Sequence, residues 1–82
     1  MSKPLDFLHN ALKKPIILKL RGRREVRGIL QSYDQHLNLH LEDTEIIYYP
    51  PPKEDGEEQE PVTEVVGSIV LRGDNVILIS PP

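Results

Sequence analysis

The stretch Val62-Thr63-Glu64-Val65-Val66-Gly67-Ser68-Ile69-Val70-Leu71-Arg72-Gly73-Asp74-Asn75-Val76-Ile77-Leu78-Ile79 reads as strand, tight turn, strand. Val62 to Leu71 is rich in β-branched residues, and Arg72-Gly73-Asp74-Asn75 has the small, polar composition of a turn. Along the last strand Val76 and Leu78 face one way and Ile77 and Ile79 the other, yet all four are apolar. A strand with two apolar faces needs a cover beyond its own small core. Left bare, such an edge aggregates unless a neighbouring chain pairs with it. If the pairing strand lies on the other edge of the next copy, the contact is heterologous and closes into a ring.

Upstream of this stretch, Pro50-Pro51-Pro52 ends whatever strand precedes it, because proline cannot donate to a ladder. Lys53 to Pro61 is acidic and contains no apolar residue other than its closing proline, which predicts a mobile, solvated loop. Further back, Leu37, Leu39 and Leu41 alternate with Asn38, His40 and Glu42, a strand that runs on toward Tyr49. Val26 to Tyr33 predicts another strand, with Gly28 marking a bulge or sharp bend that curls the sheet. Ile16, Leu18 and Leu20 alternate with Ile17 and Lys19 in a first strand, followed by a turn at Arg21-Gly22-Arg23-Arg24. Ahead of Pro15, Leu5, Leu8 and Leu12 fall at helical spacing after Pro4, with Asp6 early and Lys13 and Lys14 late.

The fold class is therefore mainly β: a short N-terminal α-helix, then five antiparallel strands bent strongly into a small barrel, assembling into a ring. A chain of 82 residues supports one domain, 1–82. Its expected parts are a helical segment 1–14, a first strand region 15–49, the acidic Pro-flanked loop 50–61 and a final region 62–82. Absence of cysteine excludes disulfides, thiolate metal sites and cysteine nucleophiles. With no long apolar run and no secretion-type N-terminus, a soluble cytoplasmic domain without a membrane partner is expected.

Net charge is −3, but the charges are segregated. Residues 1–40 carry eight basic residues (Lys3, Lys13, Lys14, Lys19, Arg21, Arg23, Arg24 and Arg27) against Asp6, Glu25 and Asp34. Residues 48–64 carry Lys53 alone against six acidic residues. Two surfaces with different partners are implied.

Two motifs carry a resemblance. Glu25-Val26-Arg27-Gly28-Ile29-Leu30, followed by Tyr33-Asp34-Gln35-His36-Leu37-Asn38-Leu39, is similar to the first motif of the Sm and Sm-like (LSm) family. Ile69-Val70-Leu71-Arg72-Gly73-Asp74-Asn75-Val76-Ile77 is similar to the second. In order and after a short helix, they resemble the archaeal members most. The resemblance implies a homo-oligomeric ring, a heptamer in most archaeal members, in which the fourth strand of one subunit pairs with the fifth of the next. It implies uridine-rich single-stranded RNA as partner, a role in RNA processing or ribonucleoprotein assembly, no cofactor, no metal and no catalysis. The positions matching the family's base pocket are His36, Asn38, Arg72, Gly73 and Asp74, with Asp34 and Tyr33 as secondary candidates.

Residue chemistry supports that assignment. An imidazole and a guanidinium can sandwich an extruded base, and Asn38 offers a donor and an acceptor to the uracil edge. Asp74 is expected to orient Asn38, and Gly73 to allow close backbone approach to the base. Asp34 has a simpler expected role, accepting hydrogen bonds from loop backbone N–H groups. Tyr33 either stacks on RNA outside the pore or covers the barrel. Methionine, common in the family, is replaced by Leu37, and the 48–64 loop is longer and more acidic than is typical. Repeated around a ring, that loop would form a repulsive collar. The alternative is a protein-interaction scaffold that recruits partners through this acidic, Pro-rich loop. His36 and His40 are no metal pair, since i, i+4 on a strand spans roughly 13 Å.

Overall fold

The computed structural model describes residues 4–82; Lys3 and the start of the expected 1–14 segment lie outside the described residues. Helix α1 spans Pro4–Asn10, followed by strands β1 (Pro15–Leu20), β2 (Arg24–Tyr33), β3 (Leu39–Tyr48), β4 (Val62–Leu71) and β5 (Val76–Ser80), with a 3-10 turn at Gly73–Asn75. All strand pairs are antiparallel and the sheet order is β4-β3-β2-β1-β5. The mainly β class, the short helix and the five strands follow the sequence reading. Pro15 opens β1, a strand position where a missing N–H is tolerated.

The helix is shorter than the 1–14 segment expected. Lys13 adopts a left-handed conformation at φ 65°, and its N–H donates to the Leu30 carbonyl at 2.7 Å. The Leu30 N–H returns a bond to the Lys14 carbonyl at 3.1 Å. These contacts with β2 draw the chain into the sheet before another helical turn can form. Leu8 and Ala11 become the buried face of the helix, while Leu5 of the expected stripe stays exposed.

Inward residues of the strands close over Leu8: Ile16, Leu18, Val26, Leu30, Leu39 and Leu41 are buried together. The alternation that predicted strands is thus the alternation that fills the core. Bending comes from register shifts, at Arg27/Ile29 and Leu30/Ser32 between β2 and β3 and on both sides of Thr44 between β3 and β4. Gly28 permits one of them. A Cβ there would lie 3.0 Å from Thr44 Oγ1 and 3.2 Å from the Glu42 carbonyl, so no larger residue fits between β2 and β3 without displacement.

Thr44 is fully buried, and its hydroxyl finds no hydrogen-bond partner among the described residues. An orphaned hydroxyl keeps its desolvation penalty with nothing to offset it. Thr44→Val, which has the same shape, is expected to stabilise the chain by about 1 kcal/mol, read as a higher denaturant midpoint. A lower midpoint would show that the hydroxyl makes a bond the fold depends on.

The segment 50–61, expected to be mobile, forms a hairpin turn. Lys53 N–H donates to the Glu57 carbonyl and Gly56 N–H to the Lys53 carbonyl, both at 2.8 Å, with Gly56 at φ 84°. Asp55 Oδ1 accepts the Glu57 N–H, and Gln59 Nε2 donates to the Pro51 carbonyl. These bonds close a three-residue turn with Gly56 in the left-handed position, in a segment with no apolar packing. Its root is tied to the sheet: Tyr49 N–H donates to the Arg23 carbonyl, and Tyr49 stands 3.4 Å from buried Glu25, which also holds Arg27 at 2.8 Å.

The two edges of the sheet, β4 and β5, carry exposed apolar residues. Val65 is 76% exposed and Val70 71% on β4, Ile77 66% and Leu78 53% on β5. The strict alternation expected along β5 does not hold. Its pairing with β1 shifts between Lys19 and Leu20, so Val76 and Ile79 reach the core while Ile77 and Leu78 both face solvent.

Candidate nucleic-acid interface

The β2–β3 connection is built on the same turn as the acidic hairpin. Leu37 N–H donates to the Asp34 carbonyl at 3.1 Å and Asp34 N–H to the Asn38 carbonyl at 3.2 Å. Where the acidic hairpin has Gly56 in the left-handed position, this loop has Leu37, at φ 63°. A leucine there costs about 1–2 kcal/mol. It is held because its side chain packs against the core cluster, and because Asp34 ties down both neighbours. Asp34 Oδ1 accepts the backbone N–H of His36 at 2.8 Å and of Asn38 at 3.0 Å.

The other oxygen, Asp34 Oδ2, accepts Asn38 Nδ2 at 2.9 Å. These bonds, the Asn38 side-chain bond foremost, lower the Asp34 pKa and keep it an acceptor-only carboxylate. An acceptor-only partner fixes which end of the amide points where: Nδ2 must face Asp34, since a flip would set two oxygens against each other. Asp34, and not Asp74, therefore orients Asn38. Asp74 instead pairs with Arg72 at 3.4 Å, both side chains mostly exposed. Exposed pairs of this kind hold weakly, so the guanidinium is free to move onto a ligand.

The 3-10 turn brings the second loop against the first. A Cβ on Gly73 would meet the Leu37 Cβ at 2.5 Å, the Leu37 carbonyl at 2.6 Å and the His36 carbonyl at 2.9 Å. The missing side chain at Gly73 thus serves loop-to-loop docking. From the far side, Arg21 N–H bonds the Asn75 carbonyl at 3.2 Å and ties the turn to the β1–β2 connection.

The result is an open depression of about 760 Å³ lined by Asp34, His36, Asn38, Val70, Arg72, Gly73 and Asp74. The structure brings His36, Asn38, Arg72, Gly73, Asp74 and Asp34 to one place, although 34 to 40 residues separate the two loops. Tyr33 does not line it; its half-buried ring packs on the core and borders a neighbouring depression. Val70 was missed by sequence reasoning. The β3–β4 register sets Val70 opposite His40, a pairing that residue order alone does not show. Among the described residues no group of three or more His, Asp or Glu side chains is placed to hold a metal ion, and no helix is long and apolar enough to cross a membrane.

A family model for the LSM domain matches residues 6–81. The chain belongs to the LSM domain family. A curated relative from Archaeoglobus fulgidus, described as snRNP Sm-like, is 47% identical over 79 residues, covering 96% of this chain and 90% of its own length. One solved structure similar to this LSM chain is a heptameric archaeal Sm protein, 42% identical, with a TM-score of 0.73 over 94% of this chain and 97% of that one. Another is the Pyrococcus abyssi Sm protein in complex with a uridine heptamer, also 42% identical, with a TM-score of 0.73 over 99% of this chain and 100% of that one. The resemblance drawn from the two motifs thus extends over residues 6–81.

Proposed function

We propose that this LSM chain assembles through β4 and β5 into a closed ring, seven-membered like its heptameric relatives, that binds single-stranded uridine-rich RNA. One base per subunit enters the depression between the loops. His36 and Arg72 stack on its two faces and Asn38 reads its edge. The observation that carries this reading is the oriented amide: Asp34 Oδ2 holds Asn38 Nδ2 at 2.9 Å, leaving the carbonyl oxygen and the second amide hydrogen for a ligand. Uracil offers a donor at N3 and an acceptor at O4, which this pair satisfies in one orientation. Cytosine presents the opposite polarity and would need the flipped amide that Asp34 forbids. The uridine heptamer bound by the Pyrococcus abyssi relative supports the same ligand class. Bare apolar edges on β4 and β5 support the ring. Participation in RNA processing or ribonucleoprotein assembly follows as the cellular role.

Fluorescence anisotropy with labelled oligouridine and oligocytidine, at one fixed salt concentration, tests the pocket. The wild-type ring is expected to prefer oligouridine. Asn38→Ala is expected to bring the two affinities together. Arg72→Ala removes a stacking face worth about 1–3 kcal/mol per base and is expected to weaken both ligands by tenfold or more. Equal wild-type binding of the two oligonucleotides would sink the base-reading assignment.

A further inference from the structure

We propose that His40 and Ser68 form a second contact point for RNA, holding the phosphodiester that leads out of the base pocket; this rests on the RNA reading above. The base depression continues into a second one of about 380 Å³, lined by Ser32, Tyr33, Asp34, Asn38, His40 and Val70. Asp34, Asn38 and Val70 belong to both, so the two share a rim. A base seated between His36, Asn38 and Arg72 leaves its ribose and phosphate outside the stack, and the shared rim is a way out for the chain.

What lies beyond that rim suits a backbone and not a second base. Of the two aromatic rings lining this depression, Tyr33 packs on the core and lends little stacking surface, and the His40 imidazole is tied by its Nε2 to Ser68 Oγ. Besides the amide and carboxylate of the shared rim, its polar groups are the Ser32 and Tyr33 hydroxyls and the His40 imidazole, whose Nε2 is bridged at 2.9 Å to Ser68 Oγ of β4, a residue outside the lining. That bridge keeps a donor in reserve whichever tautomer is present. If Nε2 accepts from Ser68, the ring carries its N–H on Nδ1; if Nε2 donates, the Ser68 O–H is released. The one carboxylate at the rim, Asp34, already accepts three N–H groups from its own loop. Half-buried His40, the second residue of β3, follows two residues after Asn38, which immediately precedes that strand, so the base reader and the backbone contact are close neighbours along the chain. Phosphate contacts of this type fix register and carry no sequence information.

The test uses full-length rings carrying His40→Ala, His40→Lys or Ser68→Ala, titrated with labelled oligouridine and oligocytidine at two salt concentrations. Loss of one neutral hydrogen bond is expected to weaken oligouridine binding about 3–10-fold in His40→Ala. The uridine-to-cytidine ratio is expected to stay at the wild-type value, because the contact is not to the base. His40→Lys is expected to restore affinity and to steepen the salt dependence, by about 0.7 in the log–log slope for each phosphate engaged. Ser68→Ala, which removes one hydroxyl from an exposed position, is expected to repeat the weaker binding with the ratio intact, and covers the case in which His40→Ala disturbs assembly. If wild type shows no preference for oligouridine, the pocket reading itself is wrong. If wild type prefers oligouridine but His40→Ala and Ser68→Ala bind as tightly, or lose affinity and the ratio together, or His40→Lys restores nothing, the second contact is overturned while the pocket stands.

Discussion

Gly73→Ala is expected to reduce oligouridine affinity at least tenfold while leaving the sheet folded. The added methyl would sit 2.5 Å from the Leu37 Cβ and within 3 Å of the carbonyls of Leu37 and His36. Two of these three obstacles are backbone, so no rotamer change relieves them. The neighbouring loop has to move, and it is the loop whose Leu37 is already held at φ 63° by the three bonds of Asp34. Overpacking of this kind costs about 1–3 kcal/mol. The cheapest relief is to separate the two loops, which takes Arg72 away from His36 and Asn38 and dismantles the base pocket. Anisotropy with oligouridine reads the loss, and far-ultraviolet circular dichroism shows whether the strands persist. Wild-type affinity in this variant would mean that the loops have room the structure does not show.

Ile77→Glu is expected to convert the ring to monomers and to lower oligouridine affinity by about 100-fold or more. Ile77 is 66% exposed and lies where the β1–β5 pairing shifts register, so the isolated subunit loses little by the change. In a ring the same position lies on an edge paired with the next copy, and a carboxylate there is desolvated with no partner. The large effect on RNA follows from multivalency: seven weak pockets on one body act together, and single pockets do not. Size-exclusion chromatography with light scattering reports assembly, and anisotropy reports the affinity. A variant that stays in a ring and binds as tightly as wild type would show that β5 is not the assembling edge.

Much of this was legible from residue order. Period-two alternation through Ile16 and Leu18 and through Leu39 and Leu41 predicted strands, and these residues join Val26 and Leu30 in one core. Other features were not legible, for identifiable reasons. Helix α1 stops at Asn10 and not near Lys14 because Lys13 bonds to Leu30, a partner 17 residues away. Local propensity carries no record of such a bond. The acidic segment lacks apolar residues, and the turn within it is closed by backbone bonds around Gly56, which composition does not reveal. The alternation of β5 failed at one residue because the β1–β5 register shifts, leaving Ile77 and Leu78 side by side in solvent.

For the candidate site, the resemblance of the two motifs nominated His36, Asn38 and Arg72, and their residue types supported it, since an imidazole, an amide and a guanidinium suit stacking and edge reading. They could not say which carboxylate serves Asn38. Asp34 and Asp74 are both near a loop residue in sequence, and the choice depends on how a five-residue turn with a left-handed leucine points its side chains. Nor could they say what Gly73 makes room for, because its neighbours, Leu37 and the His36 carbonyl, are brought there by the β3–β4 register across more than 30 residues. Sequence by itself determined the strands, the core and the chemical groups available for binding, because those follow from periodicity and residue type. The partner of each polar group and the joining of two loops into one depression were decided by the tertiary structure, because hydrogen bonds and close contacts depend on distances that only the folded sheet sets.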